Sequence, residues 1–91
     1  MPRVPSAAAA HIGAHIARHR AGLGHTQDRL AADTGIDSSN IRAYESGRAM
    51  PSVHTLLRIA DALGVLPCDL LEGLELSMFP VAEADGRRRA V

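Results

Sequence analysis

The chain holds 91 residues, a length that suits one small domain with a modest core and little room for a second active lobe, and its ten basic and ten acidic side chains leave no net charge at pH 7. One cysteine, Cys68, excludes an internal disulfide, no apolar run reaches the roughly 18 residues of a membrane span, and zero net charge argues at first sight against a nucleic-acid partner. The charges are unevenly spread, however: residues 1 to 60 carry seven Arg against four acids, and residues 61 to 91 carry three Arg against six.

Aromatics are limited to Tyr44 and Phe79, and Ala and Leu supply most of the apolar content, a balance that favours helices over sheets. Residues 1–6, with two prolines, read as a frayed arm. The opening "MPRVPSAAAAHIGAHI" is too mildly apolar for a secretory signal, so the expected location is the cytoplasm. From Ala7 a first helix is expected, with Ile12, Ile16 and Leu23 on one face and Gly22 and Gly24 closing it. Thr26 is the expected N-cap of a second helix, with Asp28 in its first turn, Leu30, Ala31 and Thr34 following, and Gly35 as its stop.

Asp37 is the next N-cap, and Ile36 can pack on Ile41 as a hydrophobic staple, so a third helix begins at Ser38 and ends at Gly47. "RAMP" is a loop, and Ser52 caps a fourth helix with Leu56, Ile59, Ala60 and Leu63 as its core stripe before Gly64. A short fifth helix starts near Pro67 and runs through Leu70 and Leu71 to Gly73. Leu74, Leu76 and Met78 then alternate with Glu75 and Ser77, spacing that suits a short strand up to Pro80, and "AEADGRRRAV" is polar. The expected architecture is all-α: five helices over residues 7–73 and a tail over residues 74–91.

A short turn over Gly35 to Asp37 forces a sharp crossing of the second and third helices, the helix-turn-helix arrangement. In it the start of the second of the pair enters the DNA major groove while the first lies across the backbone. Ser38, Ser39 and Asn40 are then short donors and acceptors where base edges would lie, and the Arg42 guanidinium suits a base or a phosphate. Ser and Asn are also ordinary capping residues at helix starts, so residue type alone leaves both readings open.

From about Ile12 to Gly73 the chain resembles the lambda-repressor-like, Cro and XRE family of helix-turn-helix regulators, through "RAGLGHTQDRLAADTGIDSSNIRAYESGRAMPSVHTLLRIADALGV". The register of Arg20, Gln27, Ala31, Gly35, Ile41, Glu45, Gly47, Pro51, Leu56, Ala60, Leu63 and Val65 carries the likeness. The resemblance implies a compact five-helix DNA-binding domain, base contacts at Ser38, Ser39, Arg42 and Ala43, and backbone contacts at Gln27, Thr26, Asn40 and Arg48. It also implies a structural ion pair between Arg20 and Glu45. His25 departs from the usual Leu, Leu66 from a Ser that often caps the fifth helix, and Ala43 from a long polar side chain, which leaves room for readout of DNA shape.

The function implied is a sequence-specific transcriptional regulator, a repressor bound as a homodimer to a palindromic operator. The alternative is a helix-turn-helix protein-interaction module, an antitoxin or adaptor gripping a protein through residues 74–81, with the acidic C-terminal third in its favour. His11, His15 and His19 recur at i, i+4, i+8, a spacing that can bind a metal, and Cys68 and His54 add potential ligands. They fall one place before the Ile12 and Ile16 stripe and read as the edge of a solvated face, so no metal or cofactor is assigned. Enzymatic chemistry has no support: there is no phosphate-cradling glycine loop and no nucleophile with base and orienter. The "GRRR" run is a solvated charge cluster or a phosphate-binding tail.

Overall fold

A computed structural model describes residues 6–80. Its helices are α1 (Ala7–Gly22), α2 (Gln27–Thr34), α3 (Ser38–Ser46), α4 (Val53–Leu63) and α5 (Pro67–Leu71), followed by a 3-10 turn at Leu76–Met78. The arm assigned to residues 1–6, apart from Ser6, and the tail beyond Pro80 with its arginine run lie outside the described residues. None of the described helices is long and apolar enough to cross a membrane.

Side-chain oxygens set most of the helix starts. The hydroxyls of Ser6, Thr26 and Ser52 accept the amides of Ala9, Arg29 and Thr55 at 3.1, 3.0 and 3.1 Å, each satisfying one of the amides a first turn leaves unpaired. Ser6 therefore belongs to α1 and not to an arm. At α5 the cap position is Leu66, which offers no side-chain acceptor, but the Asp69 carboxylate accepts the Leu66 amide at 2.9 Å and supplies half of a capping box.

The core draws on every helix: Ile12 and Ile16 of α1, Leu30 of α2, Ile41 of α3, Leu56, Ile59, Ala60 and Leu63 of α4, and Leu70 of α5, with Ile36 from the turn before α3. The expected stripes of α1 and α4 supply these positions, with one exception. Leu23 is 50% exposed, because α1 ends at Gly22 and Leu23 serves as its C-cap.

Two further expectations are corrected. The histidine row of α1 does not edge a solvated face: His15 is buried and His11 half-buried, because α1 packs against both α3 and α5. His11 Nε2 lies 2.6 Å from the Glu72 carbonyl oxygen and His15 Nδ1 lies 3.0 Å from that of His11, so both rings are engaged with backbone. Among the described residues no group of three or more potential ligands could hold a metal. The alternating segment after Gly73 is not a strand. Met78 and Phe79 donate their amides to the carbonyls of Glu75 and Leu76, both at 3.0 Å, which satisfies the backbone locally where the described residues offer no neighbouring strand.

Close approach of backbones positions α3 on α1. The alanines at the start of α1 pack tightly there: Ala8 and Ala9 are fully buried, and a methyl at Gly47 would lie 2.9 Å from the Ala10 Cα. Gly47 also has φ +82°, a conformation that a side chain disfavours, so glycine is required there twice over.

Candidate nucleic-acid interface

The turn between α2 and α3 is stitched from within. The Thr34 hydroxyl donates to the Leu30 carbonyl at 2.8 Å and accepts the Ile36 amide at 3.2 Å, while Arg58 of α4 donates to the Thr34 carbonyl. Ile36 and Ile41 are both buried, in the staple register that fixes the entry of α3. With that face committed inward, Ser39, Asn40 and Arg42 are exposed, and Ser38 and Ala43 are half-exposed.

A second constraint joins three elements through one carboxylate. Glu45 Oε2 accepts Arg20 Nε at 2.7 Å, and Glu45 Oε1 accepts Arg20 Nη2 at 2.9 Å and Gln27 Nε2 at 3.0 Å. Arg20 Nη1 also donates to the His25 carbonyl at 2.8 Å. The end of α1, the linker to α2, the first residue of α2 and the last turn of α3 are thus held by one fork-to-fork pair. The hydrogen bonds to Glu45 hold the Arg20 guanidinium protonated more firmly than a free one, with burial opposing and the Glu45 charge assisting. Gln27 spends one amide hydrogen on Glu45 and keeps the other, while the Thr26 hydroxyl, having accepted the Arg29 amide, keeps its own proton.

The remaining residues are less tightly held. Arg42 Nη1 stands 3.8 Å from Asp28 Oδ1 across the α2–α3 angle, with both side chains largely exposed, so the pair contributes little to stability. Arg48, just beyond α3, donates from Nε to the Ser46 hydroxyl at 3.1 Å and is exposed. At the start of α3 the Asp37 carboxylate caps no amide; its Oδ2 accepts the Ser39 hydroxyl at 2.7 Å. By sequence Asp37 is an N-cap and Asp28 a charge that favours the helix start. Their proximity to Ser39 and Arg42 had no separate signal.

His25 is the weak point of this edge. It stands in the staple position before the Thr26 cap, opposite Leu30 in register, yet its Nδ1 is buried with no hydrogen-bond partner. An unpaired buried nitrogen of this kind costs about 1–3 kcal/mol. His25→Leu is therefore expected to stabilise the domain by about 1 kcal/mol, read as a melting midpoint several degrees higher; an unchanged or lower midpoint would show that the ring is already satisfied.

Comparison with known proteins gives this arrangement relatives. Residues 16–71 match the HTH_3 family model, described as helix-turn-helix. An uncharacterized HTH-type transcriptional regulator, y4dJ of Sinorhizobium fredii, is 37% identical over 68 residues, covering 75% of this chain and 88% of that protein. The cryptic phage CTXphi transcriptional repressor RstR of Vibrio cholerae is 35% identical over 54 residues, covering 59% of this chain and 48% of the repressor. The chain thus spans about half the length of that relative. Among solved structures, the restriction-modification controller protein C.AhdI of Aeromonas hydrophila superposes with a TM-score of 0.67 at 29% identity, covering 68% of this chain and 94% of the controller.

Proposed function

The chain belongs to the HTH_3 family of helix-turn-helix transcriptional regulators, and on that premise we propose that it binds an approximately palindromic operator as a homodimer, with α3 in the major groove, and represses transcription there. The observation that carries this reading is the Arg20–Glu45–Gln27 network, which locks the start of α2 to α3 while Ser39, Asn40 and Arg42 stay exposed. Such preorganisation suits docking on a rigid duplex, where ordering loose elements would cost affinity.

In this reading Ser38, Ser39, Arg42 and Ala43 face base edges, the last offering a methyl for a thymine methyl. Gln27, with its spare amide hydrogen, Thr26, with its free hydroxyl proton, Asn40 and Arg48 take phosphates and fix the register. Repression is the reading favoured by the likeness to a phage repressor. Dimerisation has an apolar surface to draw on, since Leu66, Leu76 and Phe79 are 64%, 86% and 37% exposed. Two half-sites about one helical turn, ~34 Å, apart would follow.

Selection from a random duplex DNA pool, then anisotropy on the recovered sequence across a salt series, tests the proposal. A two-fold motif is expected, with a slope of log K against log salt near −5, as for about six phosphates neutralised by a dimer. A pool with no enriched motif at moderate salt would sink it. The exposed Leu76 and Phe79 also suit a protein partner gripped by the segment from Leu74 onward; a failed selection together with retention of a protein by the full chain, lost on deleting that segment, would favour that second reading.

A further inference from the structure

We infer that Asp37 sets what Ser39 can read, making Ser39 a pure hydrogen-bond acceptor toward DNA and restricting its partner to the exocyclic amino group of adenine or cytosine. The inference rests on the proposed docking of α3 in the major groove. A serine hydroxyl has one proton and two lone pairs and is ordinarily the least discriminating of polar side chains, pairing with donors and acceptors alike. Here its proton is committed: Ser39 Oγ donates to Asp37 Oδ2 at 2.7 Å. An O–H···O⁻ bond of that kind is charge-assisted and roughly twice as strong as a neutral one.

The carboxylate has no competing engagement at the helix start. Asp37 occupies the N-cap position of α3, but its side chain accepts no amide there, so its hydrogen bond to Ser39 fixes the orientation of both groups. Turning the Ser39 proton toward a base would leave an unpaired carboxylate pressed against a polyanion. That alternative is disfavoured by the loss of the bond, which leaves the carboxylate without its donor.

What remains for DNA at this point is a row of lone pairs, those of Ser39 Oγ and of the adjacent carboxylate. In the major groove guanine presents N7 and O6 and thymine presents O4, all acceptors, whereas adenine offers N6–H and cytosine N4–H. The first two meet like against like and the last two complete a hydrogen bond. Asp37 is thus a positioning residue for specificity, and it excludes bases more than it attracts them.

The test compares base preference at every operator position for the wild-type protein, S39A, D37A and D37N, after melting curves confirm that each variant is folded. The position at which S39A flattens the preference is the one Ser39 reads. There the wild type is expected to need the exocyclic amino group that Ser39 faces: replacing adenine by purine, or cytosine by 2-pyrimidinone, on one strand at a time should lower affinity by a ratio of about tenfold, the scale of one mismatched base pair. D37A should reduce that ratio to within about twofold while leaving other positions unchanged. D37N, whose amide can donate to Ser39 as well as accept from it, should admit guanine and thymine too. Affinity unchanged by removing the amino group from either strand would overturn the inference, as would a dependence on it that survives both Asp37 variants. A pool that yields no motif would overturn the docking reading and this inference together; a motif without the Asp37 response overturns this inference alone.

Discussion

Glu45→Ala is expected to cost about 3–5 kcal/mol, the scale for stranding one member of a buried ion pair. The side chain of Glu45 is 6% exposed and that of Arg20 18%, so the guanidinium left behind can recover little water. Two of its three hydrogen bonds and the anchor of Gln27 disappear with the carboxylate. A domain of this size holds a total stability of about 4–11 kcal/mol, so the loss removes a large part of it. The melting midpoint should fall by roughly 15 °C or more, at about 4–8 °C per kcal/mol for small domains. Glu45→Gln keeps one acceptor oxygen, loses the charge and turns an NH2 toward the donors that Glu45 now accepts, so it should fall between wild type and Glu45→Ala. A Glu45→Ala midpoint within about 3 °C of wild type would mean that solvent replaces the carboxylate and that the network does not fix the α2–α3 angle.

Helix boundaries were legible where one residue type has one strong local use. Thr26 and Ser52 cap, Gly35, Gly47 and Gly64 stop, and Pro67 starts a helix, because these roles depend on backbone chemistry within a few residues. Features that depend on what lies across the chain were not legible. The His11 and His15 row reads as a solvated edge by periodicity, but the end of α5 covers it. The alternation of Leu74, Leu76 and Met78 has strand spacing, but a strand needs a partner, and i to i+3 bonds form the turn instead. Leu23 keeps the helical phase of Ile16, yet the helix has ended before it.

The candidate interface shows the same division. Residues 20 and 45 are paired in the reading only through the family resemblance, since no local rule joins side chains that far apart in sequence. Asp at a helix start has at least two uses, capping an amide or holding a neighbouring hydroxyl, and residue type does not choose between them. In the structure Asp37 takes the second. On the proposed docking, the choice bears on specificity more than on stability, and propensity rules are silent about it.

Gly13→Ala is the second large effect, and it runs against helix propensity. A glycine within a helix costs about 1 kcal/mol relative to alanine, so from sequence the change looks stabilising. Gly13 is buried in α1, and a methyl there would sit 2.8 Å from the Glu45 carbonyl oxygen and closer still to that of Tyr44. Both obstacles are backbone at the end of α3, so neither can swing aside as a side chain would. Either α3 moves off α1 as a unit or α1 bends. Overpacking of this kind costs about 1–3 kcal/mol and occasionally more, and a rigid obstacle puts this site at the upper end. Moving α3 also strains the Arg20–Glu45 fork that spans the same two helices, so DNA affinity should fall further than the residual folded fraction accounts for. Gly22 supplies the control. It lies in the last turn of the same helix with nothing within 4 Å of an added methyl, so Gly22→Ala should be neutral or stabilising by up to about 1 kcal/mol. If Gly13→Ala melts at or above wild type, the spacing of α1 and α3 is not set by the missing side chain. If Gly13→Ala falls and Gly22→Ala does not, the spacing of α1 and α3 is set by backbone contact at Gly13, and a loss of DNA affinity beyond the unfolded fraction would extend that role to the proposed docking of α3.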